Sequence, residues 1–166
     1  LKSGWEVGFV VLASRKGDLH TVGQKQRNAA KLPRSSIVGF KTAVPPLEIS
    51  IGGIVRAEKG VMYDIAGVED HIHMYLRWRP DATISDLMRT VKARSSKWIH
   101  ESYPNLAAFA WQEGYSVFSV SKSQEGAVKA YIAGQAEPQK KEDFKSELLR
   151  ILLAHGVEFD EKYVLN

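Results

Sequence analysis

Residues 68–78, VEDHIHMYLRW, alternate with a period of two. His71, His73, Tyr75 and Arg77 fall on one side, and Ile72, Met74, Leu76 and Trp78 on the other. That is the pattern of a β-strand with an apolar face against a core and a polar face turned away from it. A strand of this kind needs neighbours to satisfy its backbone, so the chain must build a sheet around it. The surrounding sequence then decides what covers the apolar side.

Residues 5–16, WEVGFVVLASRK, are rich in Val and Phe, run into a Gly-Asp turn and predict a first strand. Residues 51–60, IGGIVRAEKG, read as the end of a helix closed by Gly60, with a strand following at about 61–66. Beyond the central strand, Thr83 or Ser85 caps a helix whose Ile84, Leu87, Met88, Val91, Trp98 and Ile99 recur at helical spacing. Its outer side carries Arg89, Lys92 and Ser96, a small basic patch. YSVFSV, residues 115–120, is a further strand, and Ser121 or Ser123 opens a helix through AVKAYIAGQ, with Pro138 beyond it. A last helix at about 143–154 buries Phe144, Leu148, Ile151 and Leu152 and stops at Gly156.

Residues 20–50 differ. They hold three prolines and no sustained period, which argues against a long helix, although a compact domain requires something short to be ordered there. Strands and helices interleave without strict βαβ alternation. The fold class is α+β, an antiparallel sheet covered by helices.

At 166 residues, 44% apolar and 25% charged, the chain suits one globular domain with a sizeable core. No apolar run approaches the roughly 20 residues of a membrane span, and no secretory leader pattern opens the sequence. Cysteine is absent, which excludes disulfides and thiolate metal sites but leaves the redox compartment open, with the cytoplasm as the default expectation. The net charge of +4 is uneven: residues 1–60 carry 10 − 4 = +6, residues 61–122 carry 7 − 7 = 0, and residues 123–166 carry 6 − 8 = −2. A basic front half suits a polyanionic partner without requiring one.

Two imidazoles at i and i+2 on a strand stand about 6.6 Å apart at the backbone, from a rise of about 3.3 Å per residue, so both can reach one ion. A surface or structural pair has the same spacing. A metal held by two histidines needs a further ligand and open positions for substrate. Glu69 lies on the histidine face and Asp70 on the opposite one. Tyr131 and Gln135 stand one turn apart on a helix, either as a packing aromatic with a solvated neighbour or as parts of a site.

In chain order, GVEDHIHMYL (67–76), SSKWIHE (95–101), AWQEGYSVFSVS (110–121) and AVKAYIAGQ (127–135) resemble the single-tyrosine HUH transposases of the smallest bacterial insertion sequences. They are similar as well to relatives of that family linked to repetitive extragenic palindromes. The resemblance covers about residues 51–165 and implies a ferredoxin-like, RNA-recognition-type HUH fold forming one catalytic domain over 1–166, with 20–50 atypical of the family. It implies that His71 and His73 bind Mg²⁺ or Mn²⁺, that Gln135 completes the metal site, and that Tyr131 is the nucleophile.

The partners implied are single-stranded DNA hairpins and a second copy of the chain, whose tyrosine helix serves the first copy's metal site. No nucleotide cofactor and no membrane is implied. Arg89, Lys92 and Arg94 are then candidates for phosphate contacts, and Trp78 or Trp111 for stacking a base or packing in the core. Three functions remain distinct on this reading: a tyrosine DNA strand transferase, a hairpin-binding relative that has lost transposition, and an unrelated metal-dependent oxygen-chemistry enzyme. The last has no use for Tyr131.

Overall fold

The elements follow one another as β1 (Gly8–Ser14), α1 (Arg34–Ala57), β2 (Val61–Gly67), β3 (His71–Arg77), α2 (Ile84–Ser102), β4 (Ser116–Val120), α3 (Glu125–Ala133) and α4 (Phe144–Ala154). The structure is a computed structural model that describes residues 8–14, 34–68, 71–136, 144–154, 156 and 158. The strands form one sheet in the order β2-β3-β1-β4, antiparallel throughout. Chain order β-α-β-β-α-β with this strand order is the ferredoxin-like arrangement. The α+β class read from the sequence is the one observed. Among the described residues, no helix is long and apolar enough to cross a membrane.

Helices α1 and α2 cover one face of the sheet. Val11 and Ala13 of β1 and Ile72, Met74 and Leu76 of β3 meet Leu47, Ile51 and Val55 of α1 and Leu87, Met88, Val91 and Ile99 of α2. Each of these Val, Ile, Leu and Met side chains contributes about 1.5–3 kcal/mol on burial. Thr83, not Ser85, caps α2, accepting a hydrogen bond from the Asp86 N–H at 3.1 Å. Ser85 instead bonds the Tyr115 hydroxyl at 2.7 Å.

The expectation of no long helix within residues 20–50 is corrected. Helix α1 runs for 24 residues and contains Pro45 and Pro46. Each proline removes a backbone donor and costs about 3 kcal/mol in a helix interior. Against this, Ala43, Val44, Leu47, Ile51, Ile54 and Val55 are all buried at helical spacing. Their stripe spans position 50: the helix end read at 51–60 is the C-terminal part of this same helix, and only the part before it was missed. Residues 20–33 lie outside the described residues. At the other end of α1, the left-handed residue is Lys59, with φ of 65°, rather than Gly60. Gly60 is required for another reason: a Cβ there would stand 2.8 Å from the Trp78 ring.

The second correction concerns the histidine face, which the alternation marks as polar and turned away from a core. It is covered. Val128 and Ile132 of α3 pack with Ala66, Tyr75 and Val120, and Leu148 of α4 packs on Leu12. The sheet is therefore sandwiched between two helical layers. Buried imidazoles on this face need polar partners, and the covering helices supply them.

Trp78 and Trp111 are both core residues, which removes them as base-stacking candidates. The Trp78 indole N–H donates to the Thr83 carbonyl at 3.1 Å, and that of Trp111 to the Ser95 hydroxyl at 2.9 Å. Ser95 is itself fully buried. Ser95→Ala should therefore leave a buried indole donor unsatisfied and destabilise the fold by about 1–3 kcal/mol. A urea titration checks this, with the midpoint falling at unchanged slope.

Candidate metal and nucleophile site

Strand β3 is an interior strand, paired with β1 on one side and β2 on the other, with His73 opposite Leu12 and Ala66, and His71 opposite Ser14. This double pairing holds the two imidazoles in a rigid register. Their ring centroids are 4.7 Å apart with planes at 69°. Both are buried.

Helix α3 begins after a 3-10 turn, Lys122–Gln124, and crosses the histidine face. Its Tyr131 ring meets His73 edge-on, with centroids 5.7 Å apart and an interplanar angle of 82°. The helix tightens into the 3-10 turn Gly134–Ala136, where Gln135 is buried. Helix α4 then brings Glu147 over the pair. Its Oε2 lies 2.7 Å from His71 Nε2 and 3.3 Å from His73 Nε2. Its Oε1 accepts hydrogen bonds from Gln135 Nε2 at 2.8 Å and from the Tyr131 hydroxyl. One carboxylate thus joins both imidazoles, the amide and the phenol.

Burial would push the Glu147 carboxyl up, but hydrogen bonds and charge interactions with His71 and His73 outweigh it and hold the group down at about 2. It is ionised at neutral pH. Arg150, one turn further along α4, donates from Nη2 to the Tyr131 hydroxyl oxygen at 3.2 Å. Its guanidinium carbon is 5.8 Å from the Tyr131 ring centroid.

His71, His73 and Glu147 present ligand atoms that all lie within 4.8 Å of one another. Two imidazole nitrogens with a carboxylate oxygen, buried together, fit a divalent cation. Gln135 is adjacent, and rotation of its amide exchanges a donor toward Glu147 for an oxygen toward a cation.

The sequence candidates His71, His73, Tyr131 and Gln135 are therefore brought together. Glu69 and Asp70 lie outside the described residues. Arg89, Lys92 and Arg94 sit on α2, in the layer on the other face of the sheet. Arg89 is 3.0 Å from Asp86 and Arg94 is 3.6 Å from Glu58. Lys92 donates to the carbonyls of Gln112, at 2.8 Å, and Gly114, and burial pulls its ammonium below the usual range.

Glu147 escaped the sequence reading. Its signal was present, because 147 lies in the stripe formed by Phe144, Leu148 and Ile151, where a carboxylate is out of place unless partnered. The competing phenols are occupied otherwise. Burial raises the pKa of Tyr75, whose ring centroid is 5.0 Å from that of Tyr63, and Tyr115 is bonded to Ser85.

The fold and the cluster define a ferredoxin-like protein in which a buried His-His-Glu group able to hold a metal ion has a phenol directly against it. The family model described as "Transposase IS200 like" matches residues 44–135, and the chain belongs to that family. It is similar to the ISDra2 transposase TnpA of Deinococcus radiodurans, at 24% identity over 108 residues, covering 55% of this chain and 77% of that protein.

Among solved structures it resembles a transposase from Deinococcus radiodurans R1, with a TM-score of 0.54 at 15% identity over 81% of this chain and 95% of the other. It also resembles a REP-associated tyrosine transposase bound to a REP hairpin, with a TM-score of 0.52 at 12% identity over 98% and 87% of the two chains. Both share the fold.

Proposed function

We propose that this protein cleaves and rejoins single-stranded DNA at hairpin-bearing ends through a 5′-phosphotyrosine formed on Tyr131. The observation that carries the reading is Glu147, whose two oxygens join the Tyr131 hydroxyl to the His71–His73 pair. His71, His73 and Glu147 would hold Mg²⁺ or Mn²⁺, with Gln135 completing the set. When bound, the ion polarises the scissile phosphate and offsets charge developing on it.

In cleavage the bond from Tyr131 Oη to phosphorus forms and the bond from phosphorus to the 3′-oxygen breaks. The phenol proton leaves, and the 3′-oxygen takes one up, through solvent or directly. The bond energy is kept in the phosphotyrosine, so a 3′-hydroxyl of another strand can reverse the step without ATP or any nucleotide cofactor. Glu147 orients the phenol. A carboxyl near 2 is a poor final acceptor for a proton from a phenol near 10, so Glu147 serves to position the hydroxyl rather than to keep its proton.

The relative bound to a REP hairpin supports a hairpin as substrate. The same proposal takes residues 1–166 as one catalytic domain, working as a homodimer in the cytoplasm. Within it Tyr131 serves the His71–His73 pair of its own chain, as the contacts within the chain favour, rather than that of the partner. It also assigns Arg89, Lys92 and Arg94 to backbone phosphates. Of these, Arg89 and Arg94 are the better exposed.

The test is incubation with a 3′-labelled single strand bearing a hairpin, with Mn²⁺ and with chelator. A denaturation-resistant protein–DNA adduct that needs the metal is the expected result. Hairpin binding without adduct under any metal would favour the non-transposing, hairpin-binding relative instead.

A further inference from the structure

We infer that Arg150 is a further catalytic residue, the cation that stabilises negative charge on the Tyr131 oxygen during strand transfer and grips the scissile phosphate. The inference rests on the strand-transfer reading above. Two contacts of the phenol oxygen are of opposite sense: the hydroxyl donates a hydrogen bond to Glu147 Oε1, and its oxygen accepts one from Arg150 Nη2 at 3.2 Å. A group held between an acceptor for its proton and a permanent cation on its oxygen is arranged for charge to build on that oxygen.

A plain surface ion pair with Glu147 is the competing explanation, since the two residues are three apart on α4. That pair is present, but the phenol is the nearer contact. Arg150 Nη2 is 4.0 Å from Glu147 Oε1, at the limit of pairing, but 3.2 Å from the phenol oxygen. Arg150 is also half-exposed while Glu147 is buried, so the guanidinium stands at the mouth of the site. A DNA phosphate approaching Tyr131 from the Arg150 side meets this cation. Guanidinium is planar, always charged and offers several donors, so it can hold the phenol oxygen and a non-bridging phosphate oxygen at once.

The role is symmetric in the reaction. In cleavage, Tyr131 Oη bonds phosphorus and the 3′-oxygen departs. In rejoining, the 3′-oxygen bonds phosphorus and the phenol oxygen departs, and departure is where a neighbouring cation matters most. Arg150 keeps its own protons in both directions.

The test compares wild type, Arg150→Ala and Arg150→Lys in single-turnover adduct formation at saturating hairpin DNA, with Mn²⁺. Expected for Arg150→Ala is a fall of about 10²-fold in the rates of both adduct formation and rejoining. Hairpin affinity stays within about threefold, because most binding contacts are to phosphates elsewhere. Arg150→Lys should recover part of the rate. The Mn²⁺-induced rise in melting temperature should match wild type, which separates lost charge from a displaced α4.

An adduct rate for Arg150→Ala within about threefold of wild type overturns the inference. So does a rate loss accompanied by an equal loss of the Mn²⁺ stabilisation. If wild type itself forms no adduct, it is the strand-transfer reading that has failed, and Arg150 falls with it.

Discussion

Tyr131→Phe should reduce covalent adduct to background, a loss of at least about 10⁴-fold, as removal of a nucleophile does. The substitution is nearly isosteric. The phenyl ring can keep its edge-on contact with His73, so the variant should fold and bind hairpin DNA as wild type does. What it loses is the oxygen that donates to Glu147 and accepts from Arg150.

Tyr75 and Tyr115 are the first phenols to consider as substitutes among the other five tyrosines. Tyr75 is packed against Tyr63 with its pKa raised by burial, and Tyr115 is committed to Ser85. An adduct that persists in Tyr131→Phe would transfer the role to one of these or to another tyrosine and would remove the central claim. Gel analysis of the labelled strand after denaturation distinguishes the outcomes.

The second large effect is on metal binding. Mn²⁺ at about 100 times its dissociation constant should stabilise the folded protein by about 2.7 kcal/mol, since it binds the assembled ligands and not the unfolded chain. For a chain of this size that is a rise of roughly 5–10 °C in melting temperature. His71→Ala should abolish the rise, because the remaining donors no longer surround the ion. Glu147→Gln should weaken binding by more than about tenfold, because it removes the only formal negative charge of the His71, His73 and Glu147 set.

Both variants should lose adduct formation. His71→Ala should keep hairpin binding, since the phosphate contacts proposed for binding lie elsewhere. Differential scanning fluorimetry with Mn²⁺ and with chelator reads the shift directly. An undiminished rise in His71→Ala would show that the imidazoles do not ligate the metal.

Much of the scaffold is legible from local pattern. The alternation at His71–Arg77 specifies a strand and the phase of its two faces, and the spacing of Leu87, Met88, Val91 and Ile99 specifies a helix and its buried side. The four blocks of resemblance carried the family. The end of helix α1 was legible at 51–57, but its part before position 50 was not, because Pro45 and Pro46 are strong local signals, whereas the burial that overrides them is supplied by β1, β3 and α2 from elsewhere in the chain. For Trp111 the sequence left base stacking open beside core packing, and the core reading holds, with Ser95, 16 positions away, as its partner.

The site divides in the same way. By itself the sequence determined that two imidazoles share a strand face and that Tyr131 and Gln135 share a helix turn, because both follow from the periods of regular structure. Only the tertiary structure decided that these faces meet, that α4 closes over them, and that Glu147 and Arg150 reach the phenol from opposite senses of charge. Those contacts join residues 71, 131, 147 and 150 through the packing of separate elements on one sheet, and no local period encodes which elements will lie together.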